Sequence, residues 1–436
     1  MNAAALIALT LALAPDAGKP TEWPQWMGPT RDNVWHDTGI LDKFPAGGPK
    51  VFWKANINAG YSGPAVAGGF VYITDYNTKE KTDEGNFGRK PTSGTERVVC
   101  FDILGKQVWK YEYPVKYAIS YPAGPRCTPL VHDGKVYTLG AMGHLACLKA
   151  DTGEILWKKE LTEVYGAKPA LWGYAAHPVI DGKKLITLGG IDGSHIVALD
   201  KDTGNEIWKS GSQKEQGYSP VQFHTIGGVR QMIIAGPTAV RGLDPETGKR
   251  FWSEEYDATS GSIIMTPIIV GDYVFVGGYK DKNLLLKLGV KDGVPTAAKV
   301  WKDDKKLAIS PVNVQPFAIE NVVYGFSDDG SMSGFEVPSG KRLWTGTGPL
   351  GGEEPKGSAT AFIVKNGDRF FFFAETGDLV IGKLSKTGYE EIDRAKVIEP
   401  TGTAFGRKVA WCMPAFADKK MFVRNDKELL CISLAK

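Results

Sequence analysis

Eight side chains stand just ahead of prolines that recur along this chain: Tyr61, Arg126, Tyr174, His177, Tyr218, Thr266, Gln315 and Trp411. Together they offer aromatic faces, hydrogen-bonding groups and one guanidinium, a set suited to holding a planar or anionic group or a peptide. Bond-making chemistry has little to start from. His36, His132, His144, His177, His195 and His224 show no HxH or HExxH spacing and no His-plus-carboxylate pattern, so no metal centre is expected. Cys100, Cys127, Cys147, Cys412 and Cys431 contain no CxxC or CxxCH, which removes zinc-ribbon, thioredoxin-like and c-type haem readings. No GxSxG nucleophile turn occurs. The glycines of "GGFVYI" and "TLGGIDGSH" sit in hairpin patterns rather than before helices, so a phosphate cradle has no support. No catalytic residue is named.

The elements that position the eight are legible as a repeat. "CFDILGKQVWK", "LKADTGEILWK", "LDKDTGNEIWK", "LDPETGKRFWS" and "FEVPSGKRLWT" each place a Gly four residues before a Trp, at Trp109, Trp157, Trp208, Trp252 and Trp344. Trp53 and Trp301 fall in the same series without the full turn, and an eighth position, near Tyr389 to Ile392, has lost its Trp. Spacings of roughly 45 to 55 residues match a four-stranded propeller blade. Within one unit, "RCTPLVHDGKVYTLG" reads as two strands about the turn at Asp133 and Gly134. "HLACLKADTGEILWK" then adds two more about Gly153. The prolines open the first strands, where a missing N–H does no harm.

First strands are expected near Ser62, Cys127, Ala176, Ser219, Met265, Pro311, Ser358 and Cys412, which makes eight blades, with a seven-bladed ring as the alternative because the seventh and eighth repeats are degraded. The chain opens with a Trp-type outer strand, "VFWKA", and closes on a third strand, "LLCISL". The reading is therefore all-β: an eight-bladed propeller of four-stranded antiparallel blades over 51–436, closed by the N-terminal outer strand. In that geometry the Trp four residues after each turn is a large apolar anchor between blades. Cys127 and Cys147, like Cys412 and Cys431, would lie two strand spacings apart, about 9 to 10 Å, beyond disulfide reach.

Hydrophobic and charged fractions of 42% and 23% are those of a globular chain, and a net charge of +3 provides no basic block for tracking phosphates. Nucleic acid is thus not an expected partner, and no transmembrane span is expected. The apolar run Ala3 to Ala14 is too short to cross a bilayer and fits the core of a signal peptide over 1–17. No Lys or Arg precedes it, and Pro15 follows the small-residue site at Ala12 and Ala14. The expectation is a periplasmic or secreted monomer with an extended N-terminal segment over 18–50. The connections from fourth to first strands and from second to third strands share one face. The long segments at 76–97, 158–174, 345–357 and 390–410 fall there, so function is expected on that face, around a central funnel.

With the repeat laid out, the chain resembles the pyrroloquinoline-quinone-like (PQQ-like) propeller repeat family. It is most similar to secreted planctomycete-type members that begin with a segment like "WPQWMGPTRDNV", and the likeness runs from Trp23 to the C-terminus. The resemblance implies the fold. It leaves the chemistry open, because that family holds both quinoprotein alcohol dehydrogenases and cofactor-free scaffolds similar to the propeller lipoprotein of outer-membrane protein assembly. The dehydrogenases carry an adjacent Cys-Cys disulfide, a Ca²⁺ site of Glu, Asn and Asp, a catalytic Asp and a longer chain, none of which this sequence matches. What remains is generic: Arg126 facing an anionic quinone, with Trp172 or Trp411 stacked on it. The leading expectation is an exported binding or scaffold propeller for a protein or peptide. The alternatives are a reduced dehydrogenase using PQQ with calcium and a propeller that binds a glycan or other small molecule at the funnel.

Overall fold

The computed structural model describes residues 21–82 and 85–436; the expected signal peptide over 1–17 lies outside the described residues. Strands sandwiched between two neighbouring sheets must be apolar on both faces, and the chain supplies them. Phe370, Phe371, Phe372 and Phe373 run consecutively through Arg369–Ala374 and are all buried, as are most residues of His144–Lys149. Outermost strands have only one covered face and alternate, as in Gln107–Tyr117.

Eight four-stranded antiparallel sheets result. The first comprises Ala65–Ala67, Phe70–Asn77, Thr92–Asp102 and Gln107–Tyr117. The pattern recurs at 130–160, 179–210, 222–255, 268–302, 317–346 and 361–396. The eighth blade takes Ala415–Ala417, Lys420–Arg424 and Glu428–Ser433 from the C-terminal end and borrows Val51–Asn56 as its outer strand. Closure by the N-terminal strand leaves no open seam between first and last blades. All five cysteines are buried, unpaired thiols.

The Trp series is the fastening between blades. Trp53, Trp109, Trp157, Trp208 and Trp301 dock on the turn glycine of the next blade: a Cβ on Gly153, at φ +74°, would lie 2.5 Å from the Trp109 ring, and one on Gly204 2.8 Å from Trp157. Only a glycine tolerates both the positive φ and that approach. Several of these indoles also donate to a carbonyl of that turn, Trp53 to Ile103 at 2.8 Å, Trp109 to Ala150 at 2.9 Å and Trp157 to Lys201 at 3.0 Å. Trp301 and Trp344 do likewise with Pro338 and Ser385. Blade five turns through the long hairpin Lys282–Lys291 to Val294–Lys302, without a Thr-Gly turn, and Trp252 instead donates to Gln231 of its own blade at 2.7 Å.

The register identifies the missing eighth Trp. Each Trp pairs across its blade just before a bulge, as Trp109 does with Cys100 and Trp53 with Cys431. In blade seven the residue so placed, opposite Ile381, is Asp393, one beyond the stretch expected from sequence. Its carboxylate accepts the Phe44 N–H at 2.6 Å. The next blade is the one whose third and fourth strands are not joined, so no turn glycine exists for an indole to dock on. A carboxylate that ties down the incoming N-terminal segment stands there instead.

That segment crosses the face of the tight turns and staples blades far apart in sequence. Trp23 pairs with Val66, Pro24 accepts from Val131 N, Arg31 donates to Val221 O, and Trp35 N donates to Lys365 O. Trp23 and Trp35 are buried. Around Trp23, Met27 and Trp35 this segment is packed against the bottom of the ring.

Candidate functional site

On the long-loop face the ring opens into a funnel of about 1110 Å³, open mouth included. Six of the nine residues singled out from sequence line it together: Tyr61, Arg126, Trp172, His177, Tyr218 and Trp411. Three do not. Tyr174 is buried, its hydroxyl donating to Gly189 O at 2.9 Å, while Ala175 and His177 face the opening. Side chains alternate along extended backbone, so the neighbours of a lining residue point away from the space. Thr266 and Gln315 clasp each other across blades five and six, Thr266 N to Oε1 at 2.8 Å and Nε2 to Thr266 O at 3.1 Å. Ile264, Val312 and Asn313 line the funnel in their place.

One wall is a run of edge-to-face and tilted rings. Tyr61 meets Tyr121 at 6.5 Å, Tyr121 meets Trp411 at 5.8 Å, and Trp411 meets Phe405 at 6.2 Å. Across the mouth, Phe87 meets Trp172 at 6.0 Å and Trp172 meets Tyr218 at 5.4 Å. The two indoles are fixed by their N–H groups. Trp411 donates at 2.8 Å to Glu375, a buried carboxylate also held by Arg407, and Trp172 donates at 3.0 Å to Asn86. Such tethering sets ring orientation while leaving the faces free.

The floor comes from the N-terminal segment. Trp26 stacks on His177 with centroids 4.4 Å apart and planes 10° from parallel, closing the funnel from below. Burial, with Arg31 behind the ring, holds His177 down to about 3, so its imidazole is neutral at neutral pH. The same burial lowers Arg31 to about 10. Burial raises the phenols of Tyr61 and Tyr218 above their ordinary range, which keeps them protonated.

Arg126 is therefore the one formal charge among the lining residues, and most of its donors are spent. It donates to Ser120 O at 2.8 Å, to Tyr121 O at 2.6 Å and to Gly124 O, and lies 5.1 Å above the Tyr61 ring. Those bonds shape the loop that presents Tyr121. Sequence reasoning missed Trp26, Tyr121, Asn86 and Phe405. Trp26 and Tyr121 lie in irregular segments without periodicity, whereas Asn86 and Phe405 fall within loops already assigned to the functional face.

The quinone cofactor of the dehydrogenases is tested directly by this donor set. PQQ is a flat tricarboxylate: the indoles would stack on it, but its anionic groups need cations or free donors, and the wall offers one guanidinium already turned to carbonyls. Among the described residues no three His, Cys, Asp or Glu side chains are placed to hold a metal ion. The residues present do not fit that group.

Residues 94–308 match the family model described as outer membrane protein assembly factor BamB. The quinoprotein alcohol dehydrogenase PedH of Pseudomonas putida is 27% identical over 220 residues, covering 48% of this chain and 34% of that protein. BamB of Burkholderia pseudomallei is 26% identical over 287 residues, covering 58% of this chain and 68% of its own length. The chain thus spans about a third of the matched dehydrogenase. Among solved structures, BamB from Moraxella catarrhalis aligns with a TM-score of 0.56 at 17% identity, over 88% of this chain and 99% of that one. A europium-containing methanol dehydrogenase aligns at 0.60 with 11% identity, over 96% and 99%. At such identities the structural likeness establishes the fold.

Proposed function

We propose that this chain, a propeller of the PQQ-like repeat family shared by BamB and the quinoprotein alcohol dehydrogenases, is an exported binding protein that takes a bulky apolar group of a protein or peptide partner into its funnel. The observation that carries this reading is the wall itself. It is a blind pocket of tethered aromatic rings with one formal charge and no acid–base pair. Such a site gains affinity from burying apolar surface and gives no proton or hydride anywhere to go. Sugar hydroxyls stripped of water would each need a partner, and the wall supplies few. The matches to an assembly factor support a scaffold role, and no helix among the described residues is long and apolar enough to cross a membrane.

The test is a pair of titrations of the purified chain. In one, PQQ with Ca²⁺ is followed by tryptophan quenching and then by dye reduction with alcohols and sugars. In the other, tryptophan-bearing and tryptophan-free peptides are followed by fluorescence anisotropy. Saturable binding of the tryptophan peptides without dye reduction is expected. Quinone binding with turnover would sink the reading in favour of a dehydrogenase.

A further inference from the structure

Below the aromatic wall the funnel has a second tier. Tyr61, Arg126 and Trp411 stand three residues before the prolines that open their first strands, whereas Gly63, Thr128 and His177 stand one residue before theirs, and all six line the space. Ser62 and Cys127, between the two offsets, are buried. Alternate residues of extended backbone face the same way, and two residues advance the chain by about 6–7 Å. First strands descend from the long-loop face, so the later offset is the deeper tier. Trp26, arriving from the opposite face onto His177, closes it.

The two tiers differ in chemistry. The upper one offers ring faces. The lower one carries hydrogen-bonding groups that the protein leaves unused: among the described residues the Thr128 hydroxyl, the Trp26 N–H and both ring nitrogens of His177 make no hydrogen bond. His177 Nε2 is buried, which leaves Nδ1 to face the funnel. Gly63 keeps the Thr128 hydroxyl open. A Cβ there would lie 3.4 Å from Thr128 Oγ1 and 2.1 Å from Met413 O, so no side chain fits. Water serves such groups while the funnel is open, and an inserted group that displaces the water must replace its bonds or lose affinity.

We propose that this lower tier reads the tip of the inserted group, and that the group is a tyrosine side chain, its ring against the aromatic wall and its hydroxyl among Thr128, His177 and Trp26. This rests on the peptide-binding reading above. A phenol hydroxyl both donates and accepts. It therefore satisfies the Trp26 N–H, which only donates, the Thr128 hydroxyl, which does either, and Nδ1 of the neutral His177 in either tautomer. Tryptophan brings only a donor, and phenylalanine and leucine bring neither. Charged tips are worse served, because Arg126 is turned to carbonyls of its own loop and Glu375 is held by Arg407.

The experiment uses four short fluorescein-labelled peptides that differ only in a central tyrosine, phenylalanine, tryptophan or leucine, followed by anisotropy. The wild type should hold the tyrosine peptide roughly tenfold tighter than the phenylalanine one, as expected where a displaced water leaves a polar group unpaired. Thr128→Val and His177→Phe keep the shape of the floor and remove its hydrogen bonds. Each should cut the tyrosine-to-phenylalanine ratio to roughly threefold, and the pair should bring it near one. The ratio is the measure because a general loss of fit lowers both affinities together. A ratio near one in the wild type overturns the inference whatever the variants do to folding, and leaves the funnel reading standing if the phenylalanine and tryptophan peptides bind. A ratio that survives in the double variant, or leucine held as tightly as tyrosine, also overturns it. Failure of every peptide to bind overturns both this inference and the reading beneath it.

Discussion

Aromatic residues are used in two regions of this molecule under opposite rules. Around the outside, Trp53, Trp109, Trp157 and their successors repeat with the blade; Trp53, Trp109 and Trp157 each press on a turn glycine and donate to a carbonyl of that turn. Around the funnel, Trp26 and Trp172 follow no repeat, and Trp411 shares only the strand-entry offset of Tyr61 and Arg126, where no other Trp stands; each is held by a partner of its own, His177, Asn86 or Glu375. The outer series spends its rings on contacts within the protein. Trp172 and Trp411 are tethered by their N–H groups and border open space, while Trp26 stacks face to face on His177. Periodicity in this chain marks architecture, and the departures from it mark where something else binds.

Substitutions in the two regions should separate stability from binding. Trp109→Ala removes a buried ring wedged between blades and should cost about 3–5 kcal/mol, read as a lowered urea midpoint. If it costs under about 1 kcal/mol, the outer series is not the fastening described. Trp411→Ala should cost much less, about 1–2 kcal/mol, because the ring borders open space, yet it should weaken binding of the tryptophan-bearing peptides at least tenfold. A variant that lost stability but kept affinity would reverse the assignment of the two regions.

Acid should act on the floor and not on the fastening, since indoles do not titrate. Burial depresses His177 to about 3 and His195 to about 4, whereas an unfolded histidine titrates near 6.5. Between those values the unfolded chain takes up protons that the folded one refuses, so stability is full above about pH 6.5 and falls as the pH drops toward 4. His177→Gln should flatten part of that slope in urea unfolding measured at about pH 7 and about pH 5. An unaltered slope would show that the ring on Trp26 does not titrate as described. The smallest effect expected is a gain: Phe405→Asn should raise stability by about 0.5 kcal/mol by relieving the strained turn, where Phe405 stands exposed at φ +48°, and a loss would mean the exposed ring is structural.

Much of the ring was legible from sequence, because a repeated turn with a fixed Gly-to-Trp spacing can be counted without knowing any contact. The strand borrowed by the last blade was legible for the same reason, from the order of elements at the two ends. The eighth Trp position was placed one residue short of Asp393, since a bulge in the outer strand shifts the register where no Trp remains to mark it. The site was partly legible. Tyr61, Arg126 and Trp411 stand at equal offsets before Pro64, Pro129 and Pro414, and the offset alone put them at the funnel. Tyr174, Thr266 and Gln315 share the neighbourhood but not the direction, which depends on strand alternation and on a clasp between blades.

By itself, then, the sequence determined the repeat, the closure and the face on which the long loops emerge, all of which follow from local turn chemistry and spacing, while the structure decided between seven and eight blades. Tertiary structure alone decided that the N-terminal segment passes beneath the ring to put Trp26 under the funnel and that Arg126 spends its donors on its own loop. Only the fold brought two identical tetrapeptides, Phe87 to Lys90 and Phe405 to Lys408, more than three hundred residues apart, to the rim of one funnel. The physical reason is that local rules act over a few residues, whereas a ring joins its first and last blades and makes neighbours of the most distant parts of the chain.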